Sequence, residues 1–397
     1  EIIPNISKKD ITGTSIELGS GHFVKANNAK HTYELKIYYP KKATSQNANQ
    51  EAAFSAHVEI TSAKAPTVIN LAETILAKNE VRAPITTPGA AISTASEALL
   101  ASTEDDYGTS YYFRGAVKNN YVEFANKCWR IVRVSGDGSV KLILHNDNPT
   151  GAANPCDAAN NSASAAFARY SGETYKSAFN EKTDDNAYLG FMYGAAGATD
   201  YASTHANTNK STILTNLETW YNNNISDYAD KIADTVWCND KTIVKDTTYN
   251  PSSYGGNATG LGFGINKTWY GAAQRLLSTS GSAGGTGPSL KCNGDLSKIN
   301  SKVGLITADE LAFAGYAYGL ENSTTYLQEN ATDTYWCSLS PGIFNGSYAL
   351  VWYIIGSSGD FAHIYVFYTS GVRPSISLKS TTNVTGNGTS EDPYVVE

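Results

Sequence analysis

Trp336-Cys337-Ser338-Leu339-Ser340-Pro341 opens the stretch on which the reading of this chain turns, and Gly371-Val372-Arg373-Pro374 closes it. Between these ends, residues 342–370 carry Phe344, Tyr348, Trp352, Tyr353, Phe361, Tyr365, Phe367 and Tyr368, and Asp360 is the only formally charged residue. A buried strand is also apolar, but it does not mix Gly346-Ser347 and Gly356-Ser357-Ser358-Gly359 with so many tyrosines. Aromatics give large contact area at low side-chain entropy cost, and Ser and Gly give adaptability, which is the physics of a binding surface. The same composition also fits ordinary Tyr-rich strands and turns, and composition alone leaves both readings open.

Working outward, the totals set the class. With 397 residues the chain has room for two or three domains with real cores. Charged residues make up 17% and Gly, Ser, Thr, Asn and Tyr abound, which suits an extracellular β-rich protein better than a cytosolic helical enzyme. The net charge of −7 argues against nucleic acid as a partner, because no basic stripe faces phosphates. No run of apolar residues reaches the length of a membrane span. No secretory leader is visible, so Glu1 reads as a processed or engineered start, with any leader or anchor outside the chain. The five cysteines, at 128, 156, 238, 292 and 337, are too dispersed for a zinc cluster. Cys238 and Cys292 flank a Gly/Ser-rich excursion and are the expected disulfide in an oxidising setting; the alternative is two reduced, buried thiols.

Residues 1–63 read as a small β-sandwich: Tyr33, Leu35, Ile37 and Tyr39 alternate with polar neighbours, as do Phe54, Val58 and Ile60. Val68, Leu71, Ile75 and Leu76 then predict a short helix capped by Thr67. Residues 79–104, with Pro84 and the Pro88-Gly89 turn, read as a linker holding the domain boundary. Trp129 to Val134 and Val140 to Leu144, joined through Gly136-Asp137-Gly138, give the strongest hairpin signal, and Ile131 to Val134 and Val140 to Leu144 belong in mid-sheet. Helices are expected at Thr212 to Tyr221, at Gly271 to Leu277, and from Thr307, where Glu310 completes a capping box; Ala165 to Arg169 is a further helical patch. Residues 246–266 and 278–295 read as surface loops. Short strands, scattered helices and long loops describe an α+β domain.

Motifs for chemistry are weak. The histidines at 22, 31, 57, 145, 205 and 363 stand alone, without metal-ligand spacing. There is no nucleophile elbow in a strand–turn–helix context, and no phosphate-cradling glycine loop. Glu104-Asp105-Asp106 and Asp184-Asp185-Asn186 offer oxygens suited to a structural calcium ion, against the plainer reading of solvated turns. Cofactors are otherwise not indicated.

Several ordered motifs carry a resemblance. They are residues 105–115 (Asp-Asp-Tyr-Gly-Thr-Ser-Tyr-Tyr-Phe-Arg-Gly), 129–133, 136–139, 185–194, 205–209, 304–310, 339–341 and 371–374. Together they resemble a family of surface proteins from gut Firmicutes with a C-type-lectin-like fold of the formylglycine-generating-enzyme type. Several members look like variable proteins of diversity-generating retroelements. In these, adenine-directed mutagenesis rewrites codons in the C-terminal part of the fold. The similarity spans roughly residues 105–397, and the N-terminal strands more weakly resemble the β-sandwich modules that precede such domains. The resemblance implies a ligand-binding domain at 105–397 with its variable region at about 337–374.

It also implies diversified, ligand-facing positions at Gly342, Ile343, Asn345, Ser347, Tyr348, Leu350, Tyr353, Ile355, Gly356, Asp360, Ala362, His363, Tyr365, Phe367 and Tyr368. Phe344, Ala349, Val351, Trp352 and Val366 would be framework. Two departures stand out: Cys337 sits where relatives usually carry Trp, and an extra residue falls around 356–359. The paired cysteines of the enzymes have no counterpart, since Cys337 has no second cysteine within reach in sequence, so enzyme activity is not expected. The expectation is a secreted or surface-displayed, adhesin-like protein that binds a protein or glycan ligand, with no nucleic acid partner. A structural, pilus-like subunit that uses the aromatic stretch for assembly is the alternative. An enzyme acting on polysaccharide comes third, opposed by the lack of readable paired carboxylates.

Overall fold

The hairpin predicted around Gly136-Asp137-Gly138 sits at the centre of the domain. Strands Lys127–Val134 and Val140–Asn146 pair antiparallel, and nearly every residue of both is buried. Gly138 takes φ +80°, and Ser135 closes the turn by donating its N–H to the Ser139 carbonyl at 2.8 Å. Around this pair grows an eight-stranded sheet. Its order is Ser375–Leu378, Val140–Asn146, Lys127–Val134, Tyr121–Phe124, Tyr394–Val396 and Val384–Thr385, with Gly108–Gly115 joining Lys127–Val134 to Ala98–Asp105. Tyr394–Val396 runs parallel to Tyr121–Phe124, so the last strand of the chain closes against one of the first.

The computed structural model describes residues 70–397 apart from 171–172, 175, 252–257 and 293–297, with backbone only at 173–174, 2–4 and 19–21. The chain divides into two compact units, Glu1–Val68 and Ile69–Glu397. In the first, Ile2–Pro4 pairs antiparallel with Gly19–Gly21; the sandwich strands expected around residues 33–39 and 54–60, and Thr67, lie outside the described residues. In the second, helix and sheet combine in an α+β arrangement dominated by strands.

The boundary expected within 79–104 is corrected to 68/69. Residues 79–104 belong to the second unit, and Ala98–Asp105 is a full strand in register with Gly108–Gly115 along its whole length. Small side chains resembling linker composition here lie against the Tyr111-Tyr112-Phe113 strand, and Glu97 is buried in an ion pair with Arg114 at 3.0 Å. The helix expected from Val68 begins later, at Leu71–Lys78, where Asn70 rather than Thr67 caps it in a capping box with Glu73. Ala165 to Arg169 is not helical. Ala166 donates to the Asn330 carbonyl and Ala168 to that of Val372, so distant chain takes the bonds a helix would have used. Thr212–Asn224, Gly271–Leu276 and Ala308–Ala314 are helices, the last with the Thr307/Glu310 capping box.

A second, six-stranded sheet positions the aromatic stretch. Its order is Lys176–Ser177, Ser370–Gly371, Trp336–Phe344, Ala349–Ile354 and Phe361–Tyr365, with Thr268–Trp269 also paired to Trp336–Phe344. Arg373 ties this sheet to the first. Its buried guanidinium stacks 4.7 Å over Trp336, donates to the Leu144 carbonyl at 3.0 Å and also to the Leu327 carbonyl. Burial pushes this guanidinium down to about 10. One side chain thereby satisfies two backbone carbonyls from distant parts of the chain, which accounts for the arginine at the end of the stretch. Cys128–Cys156 and Cys238–Cys292 are disulfides, and Cys337 is a buried thiol.

Candidate functional site

Trp336–Phe344, Ala349–Ile354 and Phe361–Tyr365 form a meander whose connections lie at opposite ends. Phe344, Ala349, Val351, Trp352 and Val366 are all fully buried and form its frame. At one end the turn 345–348 is built by Asn345. Its side-chain Oδ1 accepts the N–H groups of Ser347 at 3.0 Å and Tyr348 at 2.8 Å, and Gly346 takes φ +98°. Ala349 is anchored across the fold by donating to the Thr183 carbonyl at 2.8 Å. Beside it, Val366 donates to the Ala349 carbonyl and Tyr368 to that of Tyr365, which folds residues 365–368 into a second turn.

These two turns bring four rings together at the surface. Tyr348 is 45% exposed, Tyr368 47% and Phe367 38%, with Tyr365 half-buried among them. Tyr348 meets Tyr365 edge-on at 5.2 Å, Tyr365 stacks on Phe367 at 5.6 Å, and Phe367 meets Tyr368 at 4.8 Å. Exposed single apolar residues need no explanation, but four contiguous rings held on ordered turns constitute a patch. The tyrosine hydroxyls and the neighbouring Asn345, Ser347 and Thr369 add polar groups to the rim of the rings.

The other expected positions divide. Tyr353, Ile355, Asp360, Ala362 and His363 are half-buried. Tyr353 packs edge-on against Tyr335, which is 44% exposed, at 5.6 Å. Burial and nearby Glu321 push the Asp360 carboxyl up. Gly342, Ile343, Leu350 and Gly356, expected to face ligand, do not. Ile343 and Leu350 are core residues paired with each other and, for Ile343, with Trp269 on the neighbouring strand. A Cβ on Gly356 would lie 2.3 Å from the Thr334 carbonyl oxygen, and one on Gly342 would lie 2.5 Å from His363 Cδ2. The physical reason is that this sheet is covered on both faces through its middle, so only its ends and edge reach solvent.

His363, one of the positions the resemblance implies to face ligand, is set among aromatic rings. Its ring is 4.1 Å from Trp352, 5.4 Å from Tyr318 and 6.0 Å from Trp269, measured between ring centres. Neither ring nitrogen has a hydrogen-bond partner among the described residues, and neither do the indole nitrogens of Trp269 and Trp352. Burial pushes the imidazole down to about 3, so it is neutral at physiological pH. Trp269 and Tyr318 come from other segments and Tyr335 from just before the stretch, and their contribution had no signal in the sequence beyond their being aromatic.

A second cluster is ionic. Glu310 accepts from Arg133 at 2.9 Å and Lys141 at 2.7 Å, Arg133 also pairs with Asp105 at 2.7 Å, and Arg275 bridges Asp240 and Asp309. Burial opposes ionisation of Glu310, but Lys141 and Arg133 override it and hold its carboxyl at about 2. The Cys238–Cys292 disulfide lies at the rim of the narrow cleft, of about 40 Å³, that these residues line. Every charge here has a partner of opposite sign, so the cluster reads as internal bracing. Of the carboxylates considered for calcium, Glu104 accepts from the Thr109 hydroxyl, Asp105 binds Arg133, Asp106 accepts from Cys292 N–H, and Asp185 accepts from Ala187 and Gly197 N–H. Among the described residues no group of three or more His, Cys, Asp or Glu is placed to hold a metal ion, and no helix is long and apolar enough to cross a membrane. Comparison with protein-family models, with curated proteins and with solved structures found no significant match.

Proposed function

We propose that this chain is a ligand-binding protein displayed on or released from a cell, adhesin-like, and that the patch of Tyr348, Tyr365, Phe367 and Tyr368 is its binding face. The observation that carries this reading is four rings held together in solvent by two adjacent turns of a meander whose intervening residues are buried. Aromatics on a stiff support are the usual energetic centres of interfaces. Two disulfides fit an oxidising location.

The finer reading rests on the sequence resemblance: a C-type-lectin-like fold of the formylglycine-generating-enzyme type, diversified by a retroelement. On that reading the exposed positions Ser347, Tyr348, Phe367 and Tyr368 tolerate replacement, and the buried positions Gly342, Ile343, Leu350 and Gly356 do not. Two measurements test it. Serine at Tyr348, Phe367 and Tyr368 together should abolish capture of the protein by target cells while leaving unfolding nearly unchanged. A near-copy of the DNA for residues 337–374, differing at adenines and lying beside a reverse transcriptase gene, is the expected genomic companion. A protein that self-associates through the patch at low concentration would point to a structural subunit and sink the binding-face reading.

A further inference from the structure

Phe361–Tyr365 is the last strand of the second sheet, and only its inner side is paired along its length. Its register with Ala349–Ile354 fixes which backbone groups point outward. Val366 donates to the Ala349 carbonyl and Ile355 to that of Asp360, so residues 362, 364 and 366 bond to the neighbouring strand. Phe361, His363 and Tyr365 therefore aim their N–H and C=O groups away from it, in the plane of the sheet. The first of these is covered: Gly319 donates to the Phe361 carbonyl at 2.9 Å, and Tyr318 bridges to Phe361 in parallel. Gly319 takes φ +67°, Leu320 donates back to the Ala317 carbonyl, and the chain turns off the edge. At the far end Tyr368 caps the Tyr365 carbonyl. Between them the His363 N–H and C=O and the Tyr365 N–H have no hydrogen-bond partner among the described residues. Ala362, His363 and Tyr365 are half-buried, so this edge reaches solvent.

Proteins commonly guard such edges with charge or with covering chain. The edge of the first sheet is guarded in both ways. Along Ala98–Asp105, Arg82 donates its backbone N–H to the Leu100 carbonyl and its guanidinium to that of Ala98, and Glu104 is exposed. Phe361, Ala362, His363, Ile364 and Tyr365 offer no such charge, since burial keeps the imidazole neutral. We propose that the open edge at His363 and Tyr365 accepts an extended segment of a partner polypeptide as an added strand, alongside the four rings of the binding face. Free N–H and C=O groups at strand spacing are matched by another peptide backbone. The open window ends at Tyr365, where the rings begin, so the added segment runs onto Tyr365, Phe367 and Tyr368. Its backbone bonds set the register, and the rings supply most of the contact area. An uncharged segment fits best, because a charge brought to this edge would lose water without gaining a counter-ion. This role for the edge rests on the binding-face reading above and names its class of partner.

The test selects random linear peptides, displayed on phage, on the immobilised whole chain. In the protein alone the His363 and Tyr365 amides should exchange hydrogen freely, while those of Ala362 and Ile364, bonded in the ladder, are protected. Selected peptides, added as synthetic material, should protect the first pair as well. Tyr365→Pro removes the outward N–H, a change an edge strand tolerates, and Tyr365→Ala loses the same ring but keeps the N–H. The proline variant should bind selected peptides roughly tenfold more weakly than the alanine variant. Should the proline variant lose its near-ultraviolet circular dichroism, exchange in the wild type decides alone. Slow exchange at both amides in the free protein, or failure to select any peptide, overturns the proposal. Peptides that lose affinity on serine substitution of Tyr348, Phe367 and Tyr368 but leave 363 and 365 exchanging freely uphold the face and overturn the edge. Protection that appears on raising the concentration of the protein alone makes a second copy of this chain the occupant, and overturns the choice of partner.

Discussion

Gly342 and His363 make one physical unit, although the resemblance treats them as two independently replaceable positions. Alanine at 342 would set its Cβ 2.5 Å from His363 Cδ2 and 3.2 Å from the Leu350 carbonyl oxygen. The first distance is inside any tolerable contact, while the second requires only a small adjustment of the strand. Overpacking of this kind costs roughly 1–3 kcal/mol. Replacing His363 by alanine removes the ring that causes the worse clash, at the expense of its packing on Trp352 and Trp269. The double variant should therefore be more stable than the sum of the two single losses by about 1–2 kcal/mol, with a residue of strain left at Leu350. Urea unfolding followed by tryptophan fluorescence suits the measurement, because all six tryptophans are fully buried. Equal m-values across the four proteins would confirm that midpoint shifts report stability. Additive losses, within about 0.5 kcal/mol, would show that the imidazole moves aside freely and that the surrounding rings do not hold it.

Further outcomes follow from the same structure. Glu310→Gln should destabilise the domain by roughly 3–5 kcal/mol, since it leaves Lys141 buried without its carboxylate; a loss under 1 kcal/mol in urea titrations would contradict that bracing role. The folded Glu310 carboxyl, at about 2, lies below its ordinary 4.5, so its stabilisation is complete above 4.5 and is lost as pH falls through 2. That amounts to about 3 kcal/mol, and the wild type should show a steeper fall in stability over this window than Glu310→Gln does. Burial pushes the Cys337 thiol up to about 11, so thiol reagents at pH 8 should label native protein far more slowly than urea-unfolded protein, which should yield one modified cysteine. Serine at Tyr348, Phe367 and Tyr368, each alone, should move unfolding by no more than about 0.5 kcal/mol, while Trp352→Ala should cost roughly 3–5 kcal/mol; similar losses at both sets would place the patch in the core.

The sequence by itself determined the local elements wherever one short-range signal dominated. Gly136-Asp137-Gly138 between two apolar runs made a hairpin, because the turn needs the positive φ that glycine supplies. Thr307 and Glu310 made a helix start, because a capping box satisfies both orphan N–H groups within four residues. The late aromatics marked the region of interest, and the buried frame of Phe344, Ala349, Val351, Trp352 and Val366 was legible between them. Tertiary structure alone decided the rest. Ala98–Asp105 became a strand rather than a linker because an aromatic strand lay beside it, and Ala165 to Arg169 lost its helix to partners far along the chain. Likewise, which tyrosines reach solvent depended on which faces of the second sheet were covered, and the covering residues, Trp269 and Tyr318 among them, come from other segments. Burial is a property of what packs on a residue, and one strand's own sequence does not contain that information.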